Sequence, residues 1–392
     1  VKESLEKMKN IQKIIIEYID SDENSEENFQ NLQIFFDDHK IKDERYDLML
    51  LLSLITQIAN NHHRGINFFE KIEKILQFLK NAIQKFFSNT EIFNIFGTNK
   101  KIILFLLKEK MFMINSKIAS KMTTFEYKNA SYPHYFWPEI SPFLSEIEKR
   151  EYEYNIPTDN YEENRQIGQN HDPICELIRK DMITEFISFV NKNNCSLNGG
   201  IQSSIYETNV FLQKKKNIKF IEYAAFFGAI QIFKYLQLNK CQLEPSLWLF
   251  AIHGNNSEMI HLLEENDVDP PPFDKEKINE IDEENEFDLP IQNKEENPNQ
   301  QDKNKSYIKC HVEAIKCHHN DLANYFRNYF ELSKNEEEII KEIILKYHNF
   351  AFIQDDFINK SSFYDLCRYG YLNYCIFLFK EAQFDVNDRI VF

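Results

Sequence analysis

Cys310, His311, Cys317, His318 and His319 are the residues whose types and spacing come nearest to a chemistry. On a helix, residues seven apart return to one face. Cys310 with Cys317, and His311 with His318, could therefore converge, and thiolate and imidazole are ligands that zinc takes readily. The paired short spacings of a zinc motif are absent, however. Ala314 and Cys317 fit an apolar inner face equally well, with His318-His319 at a turn, so the packed reading is favoured and no metal is assigned. His62-His63 is an adjacent pair, which a helix does not direct one way, and it reads as a solvated surface pair.

Catalytic and cofactor motifs are missing. The eight glycines, at 65, 97, 168, 199, 200, 228, 254 and 370, show neither G-x-G nor G-x4-G-K spacing, so no phosphate-cradling loop is written in the chain. There is no H-E-x-x-H, no G-x-S-x-G and no kinase set. The reading is of a protein that is not an enzyme and holds no cofactor.

The elements that would position any site are helical. Leu5, Met8, Ile11, Ile15 and Ile19 recur on one helical face, and Phe29–Phe36, Tyr46–Ala59, Phe68–Phe87 and Lys100–Met113 repeat the pattern. Tyr132–Phe143, with three prolines, reads as an ordered connector, Glu139–Tyr152 as a resumed helix and Asn155–Asn170 as a polar linker. Further on, Ala224-Ala225, Gly228 and then Ile230, Ile232, Phe233, Tyr235 and Leu236 make a short helix, a glycine stop and a second amphipathic helix. Pro245-Ser246, an apolar run from Leu247 to Ile252, the break Gly254-Asn255-Asn256 and a Ser257-capped segment repeat that logic. Neither hairpin can bury both faces alone, so neighbours must stack on it.

Composition narrows the function. A net charge of −16 disfavours nucleic acid and anionic membrane surfaces as partners. Seven scattered cysteines suggest no disulfide framework and a reducing, intracellular and cytoplasmic setting. The longest apolar run, Leu48–Ile55, is too short to span a bilayer. Phe273–Ser306 carries eleven acids against five bases behind the Pro270-Pro271-Pro272 stop, and the segment 270–306 reads as a disordered acidic insert. With Val1 in place of an initiating Met, a repeat array truncated at both ends is expected.

The order Ala-Ala, two residues, Gly and an alternating apolar pattern resembles the ankyrin repeat. Leu366-Cys367-Arg368-Tyr369-Gly370, continuing to Asp385-Val386-Asn387, resembles it again, and Ala314–Phe326 and Leu177–Val190 do so more faintly. The equivalent positions Leu177, Ala224, Ala251, Ala314 and Leu366 are 47, 27, 63 and 52 residues apart, against a usual period of about 33. The whole chain is similar to a large family of parasitic-protist proteins in which a helical region of unknown function precedes a degenerate ankyrin array. Tyr135–Ile140, Ile174–Arg179, Ile221–Lys234 and Ser246–Glu265 carry that likeness.

The resemblance implies an all-α fold of stacked helical hairpins, with a helical region at 1–152 and a degenerate ankyrin-like solenoid at 153–392. It also implies that residues before each turn face a concave surface that binds another protein. These are Arg179, Lys180, Phe226, Phe227, His253, Lys316, Arg368 and Tyr369; packing on the neighbouring repeat is the alternative for Phe226, Phe227 and Tyr369. The expected function is a non-catalytic protein–protein interaction scaffold. The alternative is a structural or regulatory segment of a longer protein, whose acidic insert meets a basic partner.

Overall fold

A computed structural model describes residues 2–22, 25–153, 156, 159–273, 300–359 and 361–381. Among them the chain is all helical, with a lone antiparallel bridge between Gly200 and Lys219 in place of a sheet. No helix among the described residues is long and apolar enough to cross a membrane. The chain divides into two compact units, Val1–Met113 with Leu332–Phe392, and Ile114–Glu331. The 152/153 boundary read from sequence thus lies inside the second unit, and the last stretch of the chain belongs with the first.

In the first unit the apolar periods become the helices Lys2–Asp20, Ser25–Asp38, Arg45–Asn61, Phe68–Phe86 and Lys100–Lys108, with Asn89–Phe96 added by a capping box between Ser88 and Glu91. Lys2–Asp20 packs on Ser25–Asp38, Arg45–Asn61 and Phe68–Phe86. Lys334–Lys346, Phe363–Arg368 and Leu372–Glu381 complete the unit. Long-range polar bonds fix the returning segment: Gln12 Nε2 donates to Asn349 Oδ1 at 2.8 Å, the Ala351 amide donates to Gln12 Oε1 at 3.1 Å, and Asn373 Nδ2 donates to Asp47 Oδ1 at 2.7 Å. Gln12 and Asn349 are buried, so each needs such a partner.

The second unit contains four helical pairs in chain order: Pro173–Arg179 with Ile183–Lys192, Phe220–Phe227 with Ile230–Leu238, Leu247–Gly254 with Ser257–Glu265, and Gln300–Lys316 with Asn320–Arg327. The first helix of each pair packs on the first helix of the next. The turns share a device. The amides of Met182, Ala229 and His319 donate back to Leu177, Ala224 and Ala314 at 2.9–3.0 Å, around a left-handed residue, Asp181, Gly228 or His318. In the first unit, Tyr371 donates in the same way to Leu366 at 2.8 Å around Gly370. Asp181 also joins two pairs, because its carboxylate accepts from the amides of Gln231 and Ile232, both at 2.9 Å, and so caps the second helix of the following pair.

Several details depart from the sequence reading. Tyr132–Phe143 is ordered as three helical turns, Tyr132–Tyr135, Trp137–Ile140 and Ser141–Phe143, because proline is tolerated in a first turn. The polar stretch 155–170 holds the helix Tyr161–Ile167, whose buried Arg165 forms a two-pronged pair with Glu139 at 2.6 and 3.0 Å. The helix Gln300–Lys316 begins inside the segment 270–306 expected to be disordered. Residues 274–299 and Val386-Asn387 lie outside the described residues.

Candidate functional site

The densest cluster of chemically capable side chains in the second unit joins His253, Glu313 and Cys317. Gly254 makes it possible. A Cβ there would lie 2.5 Å from the carbonyl oxygen of Phe226, so only glycine lets Leu247–Gly254 press against Phe220–Phe227 at that point. Asn255, at φ 49°, then ends the helix, and His253 is held in the core. Glu313 and Cys317, four residues apart, share one side of the helix end that packs against it.

The geometry is a chain of proton donors and acceptors. Glu313 Oε1 lies 2.8 Å from His253 Nε2, and Cys317 Sγ lies 3.4 Å from His253 Nδ1. A carboxylate only accepts, so Nε2 carries the proton and Nδ1 accepts from the thiol. Lys316 Nζ reaches Glu313 Oε2 at 3.2 Å, and the Phe211 ring stacks on the imidazole with centroids 3.9 Å apart. His253 is 2% exposed, Glu313 3% and Cys317 0%. Burial pushes the Cys317 thiol well above its ordinary range, assisted by the Glu313 charge, and lowers His253 despite its carboxylate partner. Burial would raise Glu313 as well, but Lys316 and His253 outweigh it and hold the carboxyl well below its usual value.

Thiol, imidazole and carboxylate in that order is the pattern that activates a nucleophile. Here the thiol is sealed from solvent and held protonated, so no substrate reaches it. The same three residues place one nitrogen, one oxygen and one sulfur donor within 4.8 Å of one another, a set that suits zinc. Both imidazole nitrogens have partners within this cluster, and the Glu313 carboxylate meets both His253 and Lys316. What the cluster does is pin one helical pair to the next.

The five-residue cluster read from sequence does not assemble as one set. Cys317 turns to His253, whereas His311 Nδ1 donates to the Ala323 carbonyl at 2.8 Å, and His318 serves the turn at φ 58°. His62 and His63 are not a solvated pair: in the first unit His62 is 2% exposed and lies 2.9 Å from Asp20 Oδ1, because its helix end is buried.

The residues expected to meet a partner fare unequally. Phe226 and His253 are buried, so their side chains pack within the unit. Arg179 donates to the Asn170 carbonyl at 2.8 Å and to the Tyr223 hydroxyl at 2.9 Å, and Lys316 lies along Glu313. Phe227 is half-buried against Tyr223 and Phe226, with centroids 4.7 and 4.9 Å away. Lys180 is exposed beside Glu176, at 2.6 Å. In the first unit, exposed Arg368 and half-buried Tyr369 converge on Glu342 Oε1 at 3.3 and 2.8 Å.

Glu313 was not singled out by sequence reasoning. Its signal was its position four residues before Cys317, a helical neighbour that only a packed imidazole makes meaningful. Among the described residues the two best-formed cavities are small and lie in the first unit. The larger, lined by residues including Ser21, Glu70 and Lys71, holds about 90 Å³, well below the roughly 300–1,000 Å³ of small-molecule sites. Comparison of the chain with protein-family models, curated proteins and solved structures finds no match.

Proposed function

We propose that the helical pairs between Pro173 and Arg327 form a degenerate ankyrin-like array that acts as a non-catalytic scaffold for binding another protein. The observation that carries this reading is the packing order. First helices touch first helices in chain order, and three of the four pairs turn through the same left-handed bond. Such a stack presents an extended side-chain surface with few moving parts, which suits protein recognition rather than enclosure of a small molecule. Burial removes Phe226 and His253 from the binding set in this unit and leaves exposed Lys180 with half-buried Arg179, Phe227 and Lys316, of which Arg179 and Lys316 are held by their own partners.

The test is affinity capture from native extract with the full chain beside a Lys180→Glu, Phe227→Ala variant, both shown to have the same helical circular dichroism. The proposal expects a protein held by the parent and lost from the variant, with cross-links mapping to the helices Pro173–Arg179 and Phe220–Phe227. An identical set of captured proteins from both would reject this face as the site.

A further inference from the structure

The final helical pair places two thiols side by side. Cys367 lies in the last turn of the helix Phe363–Arg368, Cys375 lies one turn into Leu372–Glu381, and Gly370, at φ 82°, reverses the chain between them. Their sulfur atoms are 3.3 Å apart. A disulfide needs about 2.05 Å, so closing the gap takes a shift of roughly an ångström between the two sulfur atoms. The two differ in access: Cys367 is exposed, whereas Cys375 is 6% exposed. Of the seven cysteines Cys367 is the exposed one, so a soluble oxidant meets it first.

We propose that Cys367 and Cys375 form a reversible thiol–disulfide site that takes hydrogen peroxide as oxidant. The Cys367 thiolate attacks one peroxide oxygen, the O–O bond breaks, and Cys367 becomes a sulfenic acid while hydroxide leaves. Cys375 then gives up its proton and its sulfur attacks the Cys367 sulfur. The S–O bond breaks, water leaves and the disulfide forms. Overall, two thiols and one peroxide yield one disulfide and two waters, and a dithiol reductant reverses the change. Cys367 is the entry point and Cys375 the resolving thiol. Burial pushes Cys375 up to about 12, with the Cys367 sulfur adding to the rise, which fits a thiol that stays inert until an electrophilic sulfur is set against it.

The experiment exposes the full chain to limiting hydrogen peroxide, blocks remaining thiols with iodoacetamide in denaturant, and maps the peptides by mass. The proposal expects a linked Cys367–Cys375 peptide two hydrogens lighter than its parts, abolished by dithiothreitol. Cys375→Ser should divert Cys367 to a sulfenic acid trapped by dimedone, and from there to sulfinic acid. Cys367→Ser, an exposed and therefore mild change, should leave Cys375 reduced. The proposal is overturned if the parent chain accumulates Cys367 sulfinic acid with Cys375 still alkylated. It is equally overturned if the pair links no faster in the folded chain than in urea.

Discussion

At the scale of single residues, the cost of this fold is concentrated in buried polar groups. Glu313→Leu would strand the buried His253 N–H. Leaving a buried donor unsatisfied costs about 1–3 kcal/mol, so a loss of that size is expected in urea unfolding. Combining it with His253→Leu should recover part of the loss, because an unpartnered donor then disappears as well. Buried histidines set the pH response. Burial lowers His311 from 6.5 to about 4 and His348 from 6.5 to about 3. The unfolded chain therefore takes up protons below pH 6.5 that the folded chain refuses, and stability falls as pH drops from 6.5 toward those folded values. The expected loss is about 2 kcal/mol per histidine by pH 5. His311→Gln retains a donor for the Ala323 carbonyl and should flatten the slope of unfolding midpoint against pH; an unchanged slope would count against the assignment.

At the scale of elements, the turns decide the fold, and the chain makes most of them without glycine. Lys40, Lys110, Asn194, Lys240, Asp267 and His348 hold positive φ alongside Gly168, Gly228 and Gly370. Lys240 is exposed at φ 63°, so Lys240→Gly should relieve left-handed strain and stabilise by about 0.5–1 kcal/mol in thermal unfolding. Gly254 is a different case. It lies within its helix, yet a Cβ would meet the Phe226 carbonyl oxygen at 2.5 Å. Gly254→Ala should cost about 1–3 kcal/mol by forcing two helices apart, a loss visible as reduced amide protection along Phe220–Phe227. Sequence alone marked Gly254 as a helix breaker; the left-handed residue is in fact Asn255, and the glycine is there for close approach.

At the scale of the whole molecule, the last stretch belongs with the first. Truncation after Glu331 would leave Gln12 and Asp47 without Asn349 and Asn373. Hydrogen exchange should then quicken along Lys2–Asp20 and Arg45–Asn61, while the pairs of residues 173–327 keep their protection, since they lie in the other compact unit. Equal loss in both units would contradict that division. What the sequence by itself determined was local: the helical class, from apolar period, and the paired helices around Gly228 and Gly370, from glycine placement. The capping was less legible: Ser257, read as a cap, is the first helical residue, and Asn256 caps instead, accepting from the Met259 amide at 3.0 Å. Tertiary structure alone decided which side chains are accessible. Phe226 and His253 stand at positions a repeat would present, yet both are buried, because exposure depends on the neighbouring pair. It also decided that Cys317 meets His253, 64 residues away, instead of Cys310, and that residues after Leu332 close on the N-terminal helices. Periodicity reports the face a residue occupies on its own helix; which element covers that face is set by the packing of segments far apart in the chain.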